Sequence, residues 1–490
     1  MSRRDVDPER RRSRRGTAGA VAALFFVLVA CRPATRPVAV ARQEAGRYEE
    51  FLDLVERRTF DFFWDLANPD NGLVPDRWPT PSFSSVAAIG FGLTAYPIGV
   101  ERGWVTREDA RRCVRTTLRF LSSAPQGPSS RGVTGYKGFF YHFLDVKTGE
   151  RFETVELSTI DTTLLVAGIL MCQSYFDGES PEEAEIRALA ESLYGRIEWD
   201  WAQPRPPLVN HGWKPETGCL PHDWGSGGYD ESMILYVLAL GSPTHPIAPE
   251  AWERITANFE WTRFYGQEYV PFNALFGYQY SHVWIDFREI QDRFTRARGI
   301  DYFENSRRAA YAHRAYAIAN PGAWRDFGET IWGLTACDGP ADVTATIEGR
   351  VRTFHTYSAR GCSTKGTNDD GTIAPTAAAS SIPFAPEIAL PAIAEMYHRY
   401  GDHLFAKYGF LDSFNPTLRF DVIPLKHGRV QPGIGWFDGD YLGIDQGPIL
   451  AMIENYRSGL VWNTMRANPH LVRGLKRAGF RGGWLDTSRN

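Results

Sequence analysis

Apolar positions recur close to the 3.6-residue helical period along most of this chain. Phe51, Leu54, Val55, Phe60, Phe62, Phe63 and Trp64 mark a helix over 48–66. Residues 84–100 are apolar nearly all round, the pattern of a helix with no face to solvent. Thr106, followed by Glu108 and Asp109, caps an amphipathic helix that runs to 121. Residues 127–145, rich in Gly, Tyr and Phe, predict a loop with short strands. A second strongly apolar helix spans 158–176, and Ser180 and Pro181 start an amphipathic one that reaches 199. Further helices are predicted over 230–240, 249–260, 305–319, 372–381, 386–400 and 445–456, with a last segment near 463. Nothing suggests βαβ units or a short sequence repeat. Very apolar helices alternating with amphipathic ones fit two concentric rings, the inner buried on both sides. The expected fold is therefore an all-α barrel. Its loops at 201–229, 264–304, 321–371 and 408–444 have a length usually reserved for function.

Composition narrows the class. The chain has 490 residues, 43% of them hydrophobic, with 54 Lys+Arg against 58 Asp+Glu. That supports a large buried core and excludes a disordered or collagen-like chain. A net charge of −4 argues against a nucleic-acid partner, which needs clustered Lys and Arg. The 15 Trp, 21 Tyr and 30 Phe suit a sugar cleft and an aromatic core equally.

The first thirty residues differ from the rest. Met1–Arg15 carries seven Arg and three acids, and an apolar run follows over 18–30. A basic stretch, a short apolar one and small residues before a cut describe an export signal. A spanning helix needs about 20 apolar residues, and this run is shorter. Leu28-Val29-Ala30-Cys31 resembles the lipobox of bacterial lipoproteins, which implies cleavage before Cys31 and lipid attachment to it. An uncleaved anchor would equally place the remainder outside the cytoplasm. The expected organisation is a signal peptide at 1–30, a tether at 31–46 and one domain at 47–480. Without residues 1–30 the net charge becomes −8, which favours a neutral glucan over a polyuronate. The expected location is the periplasm or exterior, lipid-anchored to the cell or outer membrane, as a monomer.

The five other cysteines contain no CxxC pair, which excludes a disulfide-dense scaffold and a zinc ribbon. Cys113, Cys172 and Cys219 lie near apolar stretches and are expected in the core. His398 and His403 are five apart, and no HExxH occurs, so no metal is assigned.

Four acids sit at starts of apolar helices beside Gly- and Trp-rich loops. Glu156 and Asp161 occur in Glu156-Leu157-Ser158-Thr159-Ile160-Asp161, where Ser158 and Asp161 have capping-box spacing. Glu231 follows Gly227-Gly228-Tyr229-Asp230, and Asp445 precedes Gln446-Gly447-Pro448. Singly, each serves equally well as a helix cap; their number favours a site. Inverting glycoside hydrolysis needs a protonated acid and an ionised base. A helix N-terminus lowers a carboxyl pKa, so a capping Asp445 suits the base. Glu231 needs burial or neighbouring acids to stay protonated, and Asp230 is adjacent. Rings and polar groups for sugar binding are expected from Trp213, Trp224, Tyr280, His282, Trp284, Asp286, Arg288, Trp332, Asp338 and Trp436.

Together these segments resemble the bacterial glycoamylase-like domain that includes glycoside hydrolase family 144, the endo-β-1,2-glucanases. The resemblance runs from Arg58-Thr59-Phe60-Asp61-Phe62-Phe63-Trp64 to the Asp445 helix. Its most specific pieces are Ser85-Val86-Ala87-Ala88-Ile89-Gly90-Phe91-Gly92, the Glu156 to Asp161 stretch, Gly228-Tyr229-Asp230-Glu231-Ser232 and the segment from Tyr278 to Arg288. It implies an (α/α)6 barrel and inverting cleavage of β-1,2-glucan with no cofactor. It further implies Glu231 as general acid and Asp445 as base, with Asp161 and Glu156 lining the same cleft. The family more often has Asn where this chain has Asp230. Endo and exo action both remain open. So do two other readings: a polysaccharide lyase using Tyr280, His282 and Arg288, and a non-catalytic glycan-binding lipoprotein.

Overall fold

The computed structural model describes residues 38–487, with side chains from 48 onward. The chain divides into two units, 1–46 and 47–490. The signal peptide and Cys31 lie outside the described residues. Among those described, no helix is long and apolar enough to cross a membrane.

Among the described residues, twelve of the helices matter for positioning the site, the first of them entering the second unit at Arg47. They are α1 (Val38–Leu66), α2 (Val86–Glu101), α3 (Arg107–Ser123), α4 (Thr159–Tyr175), α5 (Pro181–Gly195) and α6 (Met233–Gly241). Then come α7 (Glu250–Ala257), α8 (Tyr280–Trp284), α9 (Tyr302–Ala319), α10 (Pro375–Ala379), α11 (Pro386–Leu404) and α12 (Gly443–Arg457). The even-numbered helices are buried almost all round; every residue of α6, α8 and α10 is buried. The odd-numbered α3 buries only a stripe, Ala110, Val114, Thr117, Leu118 and Leu121. Its Thr106 cap accepts a hydrogen bond from the Asp109 amide, as its sequence predicts. Ser180 does the same for Glu183 at the start of α5.

The even helices form a closed cycle. α2 packs on α4 and on α12, and α4 on α6. The Ile234 amide donates to Ser281 Oγ (3.0 Å), joining α6 to α8. Gln279, before α8, donates to the Ala377 carbonyl of α10 (2.8 Å), and Thr376 donates to the Asp445 carbonyl of α12 (3.1 Å). The α2–α4 contact is backbone against backbone. A Cβ on Gly90 would lie 2.2 Å from the Leu164 carbonyl oxygen, and one on Gly168 2.1 Å from that of Gly90.

Short antiparallel strands fasten the helix starts. Ser84–Ser85 leads into α2 and pairs with Phe143–Leu144. Leu157–Ser158 leads into α4 and pairs with Gly212–Lys214, Leu157 opposite Trp213. Tyr441–Leu442 leads into α12 and pairs with Arg77–Trp78. These ribbons set the register of the residues that open each inner helix.

The helix predicted over 48–66 extends back to Val38, so the last part of the expected tether is helical. Two expectations need correction. Cys219 is exposed at a strand end, whereas Cys172 is buried as expected. The segment at 264–304 is not all loop, because it contains α8, an inner helix of only five residues.

Candidate active site

The inner helix starts surround a cleft of about 290 Å³. Glu156, Asp161 and Glu231 line it, together with His142, Ser158, His211, Trp224, Phe276, Tyr280 and Tyr357. Ser158 is the N-cap of α4 and accepts from the Asp161 amide, which fixes that side chain at the rim. Asp161 Oδ2 accepts from Ser158 Oγ at 2.5 Å.

His142 binds this pair of acids together. Its Nδ1 lies 2.9 Å from Glu156 Oε1 and its Nε2 3.5 Å from Asp161 Oδ2. Burial disfavours the imidazolium, but Asp161, Glu156 and Asp76 outweigh it and raise the pKa to about 9. The His142 hydrogen bond in turn lowers Glu156 to about 2 despite its burial. At neutral pH this corner holds an imidazolium with an ionised Glu156.

Glu231 has the opposite character. Gly228 turns the chain with φ +113°, and Glu231 sits in the turn before α6, which begins at Met233 rather than at 230. Burial raises its pKa to about 8, with Asp230 and then Asp161 adding to the effect. Asp230 accepts from the Gly225 amide (2.8 Å), the Ser232 amide (3.0 Å) and Ser232 Oγ (2.5 Å), so it stays beside Glu231. Glu231 lines the cleft, and its raised pKa favours the protonated form at neutral pH.

Asp445 lies at the start of α12 but does not cap it. The cap residue is Leu442, with no side-chain bond, and Asp445 is inside the first turn. The expected lowering of its pKa is not found. Burial raises it to about 7; a hydrogen bond with Asp412 works against this, while Asp338 and Asp76 add to it. Asp445 Oδ2 has no hydrogen-bond partner. Tyr280 links the groups: its pKa is raised by burial and then by Asp445, Tyr357, Glu231 and Asp161, which all act on the same hydroxyl.

Of the ten expected sugar-binding residues, Trp224 and Tyr280 line the cleft. Trp224 stacks on His211 at 3.8 Å and donates from Nε1 to Thr159 Oγ1 (2.9 Å). Tyr280 tilts against Phe276 at 5.2 Å. The other eight do not line it. Trp284, Trp332 and Trp436 are fully buried; Trp284 stacks on Phe91, and Trp436 donates to the His427 carbonyl. His282 is buried and bonded to Ser306. Asp286 and Arg288 pair with each other beyond the end of α8, and Arg288 lies over Trp462 at 4.3 Å. The reason is α8 itself: only Tyr280 reaches the cleft, the helix carries His282 and Trp284 into the core, and Arg288 emerges at the surface beyond its end. Trp213 packs on Tyr136 and Trp201 outside the cleft, and Asp338 is buried among other acids.

Residues not singled out in sequence include His142, Phe276 and Tyr357, while His211 stands out only as part of His211-Gly212-Trp213. His142 precedes Glu156 by fourteen positions in an irregular stretch, and no spacing rule connects them. Asp76, Asp412 and Asp440 give no signal in sequence, and Asp438 stands out only within Trp436-Phe437-Asp438-Gly439.

These features define a class of helical proteins in which a protonated and an ionised carboxyl share an aromatic-lined cleft at the inner helix starts. The Glycoamylase family model matches residues 221–469, a stretch containing Glu231, Tyr280 and Asp445. This chain belongs to that family. An exo β-1,2-glucooligosaccharide sophorohydrolase (non-reducing end) of Parabacteroides distasonis is 28% identical over 466 residues, 88% of this chain. The chain spans 58% of that relative's length. A crystal structure from Bacteroides uniformis is 32% identical with a TM-score of 0.74, covering 90% of this chain and 99% of that one. An endo-β-1,2-glucanase of Chitinophaga pinensis, solved with sophorotriose and glucose, is 27% identical with a TM-score of 0.73. That match covers 89% of this chain and 99% of the enzyme.

Proposed function

We propose that this chain is a glycoside hydrolase that cleaves β-1,2-linked glucan with inversion, on a six-over-six (α/α)6 barrel. The observation that carries the reading is Glu231, a half-buried carboxyl on the cleft wall with a pKa raised to about 8, opposite a corner where Glu156 is lowered. Glu231 donates its proton to the departing glycosidic oxygen. We assign the base to Asp445, which follows the cleft-lining Ile444; its Oδ2 is buried and unpartnered in the structure, so the carboxyl must turn toward the cleft to take a proton from the attacking water. Asp161 serves less well as base, since Ser158 and His142 already occupy its Oδ2. Trp224 and Tyr280 supply ring faces for the sugars. The β-1,2 linkage is proposed from the two relatives named for it, at 28% and 27% identity.

A lyase is disfavoured by position. Tyr280 lines the cleft, but His282 and Arg288, the latter the cation that would neutralise a uronate, lie away from it. A panel of linear and cyclic β-1,2-glucan with β-1,3-, β-1,4- and β-1,6-glucans, followed by chromatography of products, tests the reading. Oligosaccharides from β-1,2 substrates alone are expected. Cleavage of another linkage with none of β-1,2 would overturn it, and an ultraviolet-absorbing unsaturated product would instead indicate a lyase. The Leu28-Val29-Ala30-Cys31 sequence further leads us to propose an exported protein anchored by lipid at Cys31. Expressed in a bacterium, it should partition with membranes, and Cys31→Ser should release it; an unchanged distribution would refute the anchor.

A further inference from the structure

Behind Asp445 lies a second group of acids with no role in the chemistry above. Asp338, Asp412 and Asp438 come from three loops and are 0%, 2% and 2% exposed. One oxygen from each lies within 4.8 Å of the other two. Each aspartate has one oxygen held by the protein. Arg77 Nη1 donates to Asp338 Oδ2 (2.6 Å), the Asp338 amide to Asp412 Oδ2 (2.7 Å), and the Gly439 amide to Asp438 Oδ1 (2.8 Å). The remaining oxygens, Asp338 Oδ1, Asp412 Oδ1 and Asp438 Oδ2, are buried and receive no N–H or hydroxyl donor, the Asp412 carboxyl meeting only another acid, Asp445.

Buried carboxylate oxygens without donors are costly, and proteins normally pair them or give them to a metal. Arg77 is the cation that reaches this group. It bonds Asp338 and lies 3.7 Å from Asp440 and 3.4 Å from Asp76. Asp445 adds a further acid, through Asp412. Even with His142 acting on Asp76, one guanidinium and one imidazolium cannot balance six carboxyls.

We propose that Asp338, Asp412 and Asp438 bind a hard divalent cation of the Ca²⁺ class. The donors are all oxygens, which hard cations prefer over zinc or copper. Two oxygens on opposite sides of a Ca²⁺ ion stand about 4.8 Å apart, so the spacing suits one shared ion. Water or a carbonyl would complete the shell. Asp438 and Gly439 also line a separate open cavity of about 440 Å³ with Trp78, Tyr408 and Arg429, the side from which an ion would have to enter. The ion would tie the three loops together beside the start of α12. Sequence spacing could not reveal the site, since its ligands are dozens of residues apart.

Calorimetric titration of the chelator-treated full chain with Ca²⁺ tests this, with unfolding midpoints measured in Ca²⁺ and in chelator. We expect one Ca²⁺ per chain and a midpoint raised by at least about 2 °C in Ca²⁺. Asp438→Asn should weaken binding at least tenfold. In chelator it should melt no lower than the unsubstituted protein, since it removes a repelled charge. Asp421→Asn, at an exposed position, should change neither quantity. The proposal fails if the unsubstituted protein shows no binding and no midpoint shift up to Ca²⁺ on the order of 10 mM. It fails equally if Asp438→Asn binds with unchanged affinity.

Discussion

Glu231 and His142 show how burial acts in opposite ways on neighbouring groups. Glu231 has carboxylates near it, so burial and repulsion act together and hold the proton. His142 has two carboxylates in contact, so attraction overcomes burial. If Glu231 is the general acid, activity should fall as pH rises through about 8. Asp230→Asn removes the adjacent repulsion and should move that alkaline limb to lower pH, while Glu231→Gln should cut turnover by about 10²–10⁴. An alkaline limb left in place by Asp230→Asn would reject the electrostatic account. Stability has a definite sign as well. The folded state binds the Glu231 proton more tightly than the unfolded chain, whose pKa is near 4.5. Its contribution is therefore full below 4.5 and declines as pH rises through 8. Glu231→Gln should gain on the unsubstituted protein in thermal melts above pH 8 and show no such gain near pH 4.

At the scale of elements, the inner helices touch through backbone where glycine allows it. Gly168→Ala would drive a methyl into the Gly90 carbonyl and should cost about 1–3 kcal/mol in urea unfolding, with little change in slope. A loss below a few tenths would show that α2 and α4 separate easily. The elements also show what sequence can and cannot disclose. The helix ending at Leu66, the Thr106 and Ser180 caps and the buried α4 follow from periodicity and capping chemistry, which are local. Helix α8 escapes, because five residues make little more than one turn and show no period. The consequence is the misplacement of His282, Trp284, Asp286 and Arg288. A polar, aromatic motif looks the same whether it lines a cleft or crosses a core. The C-terminal helices Pro469–Arg477 and Gly483–Thr487 were also missed. The first is placed by packing on α6, where Gly474 meets the Val237 carbonyl.

At the scale of the second unit, the cycle of inner helices gathers acids that the sequence scatters from Glu156 to Asp445. Glu156, Asp161 and Glu231 could be named from sequence because they stand at helix starts, and helix starts share one end of such a cycle. Asp445 stands there too, but it does not cap α12, and burial and the acids behind it raise its pKa instead of lowering it. Partners such as His142 depend on loop paths that no local rule fixes. The central claim is that Glu231 gives its proton to the leaving group while water attacks from the opposite face. Proton NMR of the anomers released from β-1,2-gluco-oligosaccharides, followed from the first turnovers, tests it most directly. The α-anomer should appear first and convert slowly to the equilibrium mixture, and Glu231→Gln should release almost none. Initial formation of the β-anomer, or near-normal release by the Glu231→Gln protein, would contradict the account.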